Sequence, residues 1–134
     1  MIDIENQVFE ILSSSLGTAF SGILVVGEEI NAPSSFPCVS IIQADSNTDD
    51  SYITTEHIEN VINVVYEVNV YSNKKAKKKS ECKEIMAHIS DKFNELGFSR
   101  SFLNPIPNFI DSSIYRMVAR FVAKVDKNDT IYRR

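Results

Sequence analysis

The sequence predicts a single α+β domain, in which a mostly antiparallel or mixed sheet of about four to five strands carries two helices on one face. Three observations predict this fold. The chain has 134 residues, of which 43% are hydrophobic, and this suits one ordinary globular core. Two separated segments repeat apolar residues at spacings of three and four, as amphipathic helices do. The other apolar residues form short runs or alternate with polar ones, as strands do, so the predicted order is helix, three strands, helix, two strands.

The first helix is predicted over residues 4–16, where the apolar residues fall on one face. Asp3 is its expected N-cap and Gly17 its expected end. Two short strands follow at residues 22–27 and 38–44, which read GILVVG and CVSIIQA. A segment with two prolines separates these strands, because proline cannot donate a ladder hydrogen bond.

The clearest strand is predicted at residues 61–71, VINVVYEVNVY. Its even positions are all apolar, while its odd positions mix valines with Asn63, Glu67 and Asn69. One face should therefore join the core, and the other should meet water or a partner. A second helix follows, ends at Gly97 and is expected to pack on the sheet. Its apolar stripe consists of Cys82, Ile85, Met86, Ile89, Phe93 and Leu96.

Two further strands are predicted at residues 98–103 and 114–125, with a proline-containing loop between them. The odd positions of the second strand are apolar. Its even face carries three basic residues, Arg116, Arg120 and Lys124. Residues 126–134 show no periodicity and are interpreted as a candidate mobile C-terminal arm of the single domain.

Charge and cysteine content exclude several classes of protein. The formal net charge of -4 argues against general binding to duplex DNA, since such proteins present a net positive face. Cys38 and Cys82 are too few for a disulfide scaffold, and neither has a second cysteine at metal-ligand spacing.

The N-terminus is acidic, and no segment approaches the roughly 20 apolar residues of a membrane span, so we expect a cytoplasmic protein without a membrane partner.

The stretch DSNTDDSYITTE, residues 45–56, has features of a calcium loop. Its first, third, fifth and twelfth places hold oxygen-bearing residues, Asp45, Asn47, Asp49 and Glu56. However, Asp50 takes the sixth place, where glycine is expected, and the flanking segments are predicted strands instead of helices. The favoured interpretation is therefore an acidic loop between two strands, with a calcium site as the alternative.

Two clusters of charge each allow two interpretations. Five lysines before and within the start of the second helix form either a phosphate-contacting patch or a solvated basic surface, namely Lys74, Lys75, Lys77, Lys78 and Lys79. The basic face of the last strand comes within reach of Glu67 if that strand pairs with residues 61–71. Cross-strand ion pairs are the simpler interpretation, and a subunit contact or a channel lining is the functional one.

No motif for catalysis or cofactor binding is visible. No serine lies in a G-x-S-x-G context, and no glycine-rich phosphate loop occurs. His57 and His88 have no sequence neighbours that suggest a catalytic arrangement. We therefore expect neither an enzyme nor a cofactor, with a small enzyme or regulatory ligand-binding domain as the weakest alternative.

The order of elements and three strings resemble the tail terminator (tail completion) proteins of long-tailed bacteriophages and related prophage particles. The first string is GILVVGEEINAPSSFPCVSII, a glycine-bounded strand followed by a proline loop and a second strand. The second is YEVNVYS running into a helix that ends NELGFSRSF, and the third is the closing strand YRMVARFVAKV. Together they cover most of residues 22–125.

The resemblance implies a structural protein that forms a ring, typically a hexamer, on the end of the tail tube. Such a ring stops tube polymerisation and joins the tail to the head-side connector, and DNA passes only through its lumen. The implied location is the virion, after assembly in the host bacterial cytoplasm. The expected partner or subunit contacts are Asp45, Asp49, Asp50, Tyr52, Glu56, Glu67, Arg116, Arg120 and Lys124, and the lysine run is expected near the lumen or in solvent.

Two alternatives accompany this expectation. Another head-tail joining or tail-tube protein would share the small α+β architecture and ring assembly. A calcium-binding module using residues 45–56 would belong to a different class.

Overall fold

The computed structural model describes residues 4–28, 33–48, 61–106, 113–126 and 131–133. These residues form two helices and six strands, and they confirm the predicted α+β class and order, with one additional strand at the end. In chain order the elements are α1 Glu5–Ala19, β1 Leu24–Val26, β2 Cys38–Thr48, β3 Val61–Ser72, α2 Lys78–Leu96, β4 Ser99–Pro105, β5 Tyr115–Asp126 and β6 Ile131–Arg133.

The strands form one mixed sheet with the order β1-β2-β3-β5-β4. β1 pairs with β2 in parallel, and the other neighbours are antiparallel. β6 pairs with the last part of β5, on the same edge of β5 that β4 occupies earlier. β5 therefore has a neighbouring strand on both sides along most of its length, β3 on one side and β4 followed by β6 on the other.

Both helices pack on one face of the sheet, which we call the inner face. Alternate residues of β3 and β5 point to this face, as the sequence predicted, and join the buried stripes of α1 and α2 in one hydrophobic cluster. An aromatic group forms its centre. Phe93 stacks on Phe121 with 4.3 Å between ring centroids, and Phe98 contacts both Phe93 and Tyr66 edge-on.

The end of α2 confirms the predicted glycine stop. Gly97 has φ 99°, a left-handed conformation that favours glycine, and its backbone N–H bonds to the carbonyls of the last helical turn. A Cβ on Gly97 would also lie 3.2 Å from Cγ2 of Ile131 in β6. Glycine is therefore favoured at this position for two reasons, the left-handed conformation of the helix cap and the close approach of β6.

The predicted boundaries of α1 were wrong at its C-terminal end. α1 continues through Gly17 to Ala19, and Phe20 then adopts an extended conformation. A glycine inside a helix costs roughly 1 kcal/mol relative to alanine, which burial of the preceding turn at Leu16 offsets. The position before the helix is Ile4, which provides no side-chain cap, and Asp3 lies outside the described residues.

The second strand is longer than predicted. β2 does not end at Ala44 but continues to Thr48, after a bulge between Gln43 and Asp45. Residues 45–48 are polar, so the sequence pattern indicated a loop. β3 nevertheless offers Val65 to Ile62 as pairing partners, and continuing the ladder satisfies the backbone groups of both strands.

The C-terminal elements also differ from the predicted ones. β4 extends to Pro105, two residues beyond its predicted end, and is an edge strand, where proline is tolerated. β6 lies inside the segment interpreted as an arm and pairs Ile131 with Val125. Three residues are too few to show periodicity, so only the pairing with β5 identifies this strand.

Candidate contact surface on the outer face of the sheet

The sheet face opposite the helices, here called the outer face, is the main candidate for a functional surface. It receives the odd positions of β3 and the even positions of β5, which the sequence predicted to be wet or to meet a partner. The strand register sets them in cross-strand rows: Tyr71 with Arg116, Asn69 with Val118, Glu67 with Arg120, Val65 with Val122 and Asn63 with Lys124.

One half of the outer face is closed. Five residues in the rows next to the start of β2 are each at most 3% exposed, namely Cys38, Ser40, Asn69, Tyr71 and Val118. The hydroxyl of Ser40 donates a hydrogen bond of 2.6 Å to the carbonyl oxygen of Glu28. The backbone of Glu28, just after β1, therefore contacts this half, and the side chains of Ser40 and Asn69 find hydrogen-bond partners within the chain.

Arg116 belongs to this closed half. Its Nε donates to Oδ1 of Asn69 at 2.9 Å, and its guanidinium lies 5.8 Å from the centre of the Tyr71 ring, which is cation–π geometry. The sequence suggested Arg116 as a partner or subunit contact. In the structure its side chain is half-buried and makes contacts inside the chain.

The other half of the outer face is open, and its centre is an ion pair. Glu67 and Arg120 lie directly opposite each other on β3 and β5. Oε1 of Glu67 accepts hydrogen bonds from Nη2 of Arg120 at 3.2 Å and from Nε at 3.4 Å, and the Arg120 side chain is 53% exposed. This confirms the predicted cross-strand pair, whose contribution to stability should be about 0–1 kcal/mol at such exposure.

Apolar side chains surround this ion pair. Ile42 lies opposite Glu67 on β2, and Phe102 lies opposite Arg120 on β4. Val65 and Val122 form the next row, where both are half-exposed, and Phe102 is 37% exposed. We call these six residues the open half. Contiguous exposed apolar groups are a feature of protein–protein contacts, and aromatic residues and arginine are enriched there.

The structure brings together only some of the predicted contact residues. Glu67, Arg120 and Lys124 share the outer face, with Lys124 opposite Asn63 at the end of the open half. Asp45 lies in β2 opposite Val65. Asp49, Asp50, Tyr52 and Glu56 lie outside the described residues.

The calcium-loop interpretation is wrong for its first part. Asp45 and Asn47 do not begin a loop, because both are paired with β3 in the sheet. The other two candidate ligands, Asp49 and Glu56, lie outside the described residues. Among the residues that the structure does describe, no three His, Cys, Asp or Glu side chains are grouped so as to hold a metal ion.

The five lysines lie where the sequence predicted, in the turn before α2 and in its first turn. Two of them contact other parts of the chain. Nζ of Lys74 lies 3.9 Å from Oε2 of Glu81, and Nζ of Lys78 donates to the carbonyl of Ser113 at 3.3 Å. Lys74, Lys75, Lys77 and Lys79 are exposed, which fits the interpretation as a solvated basic surface.

His88 has a partner that sequence reasoning missed. Its Nε2 lies 2.7 Å from Oγ of Ser15, and the ring of Phe20 meets the imidazole edge-on with centroids 5.6 Å apart. The contact joins α1 to α2 across 73 residues of sequence, so no local signal identifies it. None of the described residues places a carboxylate in a hydrogen bond with His88, so the described part of the chain supplies no third member of a catalytic triad to this pair. His57 lies outside the described residues.

Both cysteines are buried, and neither is in a disulfide. Burial raises the pKa of the Cys38 thiol to about 11. Burial, together with the nearby negative charge of Glu81, raises the pKa of Cys82 to about 12. Because the thiolate is the reactive form, these raised pKa values disfavour reaction of either thiol near neutral pH.

Neither of the two helices among the described residues, α1 and α2, is long and apolar enough to span a membrane. Comparison of the chain with protein-family models and with curated protein sequences finds no match.

Proposed function

We propose that this chain is a tail terminator of a long-tailed bacteriophage or a related prophage particle. In this role, copies of the chain form a ring on the end of the tail tube, stop its polymerisation and join it to the head-side connector. The proposal starts from the resemblance of residues 22–125 to that family. One structural observation supports it most, the open half of the outer face.

The open half has the composition of a surface made for another protein. Monomeric proteins seldom expose a contiguous apolar group beside a rigid strand pair, because such a group also invites non-specific association. Here Val65, Val122 and Phe102 lie on strands that the sheet holds rigid, and the Glu67–Arg120 pair can set the register of a partner. A standard contact buries roughly 800 Å² on each partner, so the six residues of the open half would be the centre of such a contact and not the whole of it.

Tube growth gives the direct test. A tail tube protein from the same source should be polymerised with and without the purified chain, and tube lengths should be measured by electron microscopy. A terminator caps tube ends, so tubes should become shorter as the concentration of the chain rises. Longer tubes containing the chain would identify a tube protein instead, and unchanged tubes would contradict both roles.

A pair of matched variants connects this activity to the open half. Phe102→Asp places a charge on the open half, and Ile11→Asp places one on an exposed residue of α1, on the helix side of the molecule. The two parent side chains have similar exposure, 37% and 43%. Phe102→Asp should abolish the shortening of tubes, whereas Ile11→Asp should retain it. Equal loss in both variants would show that the open half is not the contact.

A further inference from the structure

The charges of this chain are divided sharply along its sequence. Residues 1–73 contain eleven Asp and Glu residues and not one Lys or Arg. Residues 74–134 contain all 14 Lys and Arg residues and the other seven acidic ones. The net charge of -4 therefore conceals two parts of opposite sign.

The topology converts this division into two opposite sides of the molecule. The sheet order β1-β2-β3-β5-β4 keeps the three strands of the acidic part together and the two long strands of the basic part together. α1, from the acidic part, lines a cleft with Gly27 and Glu28 after β1, with Ile41 of β2 and with Tyr66 of β3, whereas α2, from the basic part, contacts β5, β3 and β4. The acidic part of the chain thus forms the β1 edge of the sheet, and the basic part forms the β4 edge.

The acidic side consists of exposed residues of α1 and of the segment after β1. Glu5 and Glu28 line the same cleft, about 270 Å³ in volume, beside the β1 edge. Glu10 lies one turn after Asn6, which also lines that cleft, so it shares this face of α1. We call Glu5, Glu10 and Glu28 the acidic side.

The basic side lies at the opposite edge, where α2 meets β4. Arg100 lines a cleft of about 370 Å³ with Ser90 and Asn94 of α2. Lys83 lies two turns before Ser90 and Lys79 one turn before Lys83, so both lysines share the helix face that borders β4. All three cations are exposed, and they outnumber Asp91, which lines the same cleft. We call Lys79, Lys83 and Arg100 the basic side.

We propose that copies of this chain associate head to tail, with the acidic side of one copy against the basic side of the next. This inference rests on the proposed function, because it names the two surfaces through which the ring would close. In a two-fold symmetric dimer the same surface of each copy meets its equivalent. Such a contact could pair the acidic side of each copy with the basic side of the other only if the two sheets lay over each other. A heterologous contact satisfies both, and it generates a ring when the rotation between neighbouring copies closes.

Strand direction is compatible with this arrangement. β1 runs parallel to β2. Each later pair along the sheet is antiparallel: β2 with β3, β3 with β5, and β5 with β4. β1 and β4 therefore run in opposite directions. A second copy placed beside the first, and rotated only by the angle between neighbouring subunits of a ring, sets its β1 edge antiparallel to β4, and the edges of these strands that pair with no other described strand face each other.

Charge reversal on each side gives the test. The acid-reversed variant carries Glu5→Lys, Glu10→Lys and Glu28→Lys, and the base-reversed variant carries Lys79→Glu, Lys83→Glu and Arg100→Glu. Each variant alone presents like charges at the contact, so association measured by sedimentation velocity should weaken by about tenfold or more. An equimolar mixture should recover assemblies larger than a dimer, because each variant then meets an opposite charge on both sides.

A matched control separates the contact from net charge. Lys74→Glu, Lys75→Glu and Lys77→Glu change the net charge by the same amount as the base-reversed variant, but Lys74 and Lys77 line a cleft between the two helices. This control should associate as the parent chain does. Circular dichroism should show that every variant is folded, and Gln replacements at the same positions should give the same order of effects with smaller magnitude.

The outcomes separate this inference from the proposed function. A parent chain that associates, with both reversed variants associating equally well, would overturn the head-to-tail contact and leave the terminator role intact. If the parent chain does not cap tubes, the terminator role is wrong. The charge-reversal result would still show whether the acidic and basic sides of neighbouring copies meet. A parent chain that stays monomeric at every concentration would overturn the head-to-tail contact.

Raising the salt from about 0.1 M to about 1 M should also weaken association, because the Debye length falls from about 10 Å to about 3 Å.

Discussion

The two faces of the sheet are built from the same strands and have opposite characters. On the inner face, β3 and β5 present apolar side chains that are at most 4% exposed, packed around the stacked Phe93 and Phe121. On the outer face the same strands present a closed polar half and an open half with an ion pair. Because side chains alternate along a strand, one segment can hold the core on one side and remain chemically variable on the other.

The comparison indicates where stability and function should respond to mutation. Substitutions on the inner face should destabilise the fold strongly, since they leave cavities that the close-packed core cannot fill. Substitutions in the open half should change stability little and association more. Four predictions test this division, beginning with the largest effect.

Phe121→Ala should be the most destabilising of the four. It removes a fully buried ring that stacks on Phe93, and such a change costs about 3–5 kcal/mol in the free energy of unfolding. Phe102→Ala is the matched change on the outer face of the neighbouring strand, and its cost should be much smaller because Phe102 is 37% exposed. Urea unfolding curves of both variants give the comparison, and equal costs would contradict it.

Gly97→Ala should have the second largest effect. Alanine at φ 99° is strained, and its Cβ would approach Ile131 to 3.2 Å, so we expect a loss of about 1–3 kcal/mol. Gly17→Ala is the control, because Gly17 lies inside α1 with no atom within 4 Å of the added Cβ. Alanine there should stabilise the fold by roughly 0.5–1 kcal/mol. Thermal unfolding should therefore shift in opposite directions for the two variants.

Tyr66→Phe should have an intermediate effect, because it keeps the buried ring of the inner face and removes only a hydroxyl. The Tyr66 hydroxyl donates to Oε1 of Gln43 at 3.1 Å, and loss of one such hydrogen bond costs about 0.5–1.5 kcal/mol. A double-mutant cycle with Gln43→Ala measures the part of this cost that belongs to the pair. A coupling energy near zero would show that the hydroxyl is stabilised by other neighbours.

Glu67→Gln should have the smallest effect on stability. The pair with Arg120 is open to water, so the free energy of unfolding should change by less than about 1 kcal/mol and the change should vanish at high salt. Arg120→Gln should behave in the same way. A loss comparable with that of Phe121→Ala would mean that the open half is part of the core, contrary to the comparison above.

Much of the fold was predictable because its main elements are strongly periodic. β3, β5 and α2 repeat apolar residues over three or more turns or pleats, and burial of these residues decides their conformation. The Glu67–Arg120 pair was predictable for the same reason, since alternation placed both residues on one face once pairing of the two strands was assumed.

The remainder depends on tertiary contacts that leave no local pattern. The polar end of β2 is a strand because β3 is available beside it, and α1 continues through Gly17 because its last turn is buried at Leu16. Ser15 and His88 meet only after α1 and α2 have packed together. The acidic and basic sides required both the order of charges in the sequence and the order of strands in the sheet.

β6 bears on how the edge of the sheet is protected. β5 pairs with β3 along its whole length, but on its other edge Ala123 to Val125 have only β6 as a partner among the described strands. The three residues of β6 therefore cover a short apolar strand edge that would otherwise be open to pairing with another chain. A variant in which residues 131–133 cannot pair should expose this edge and aggregate more readily than the parent chain.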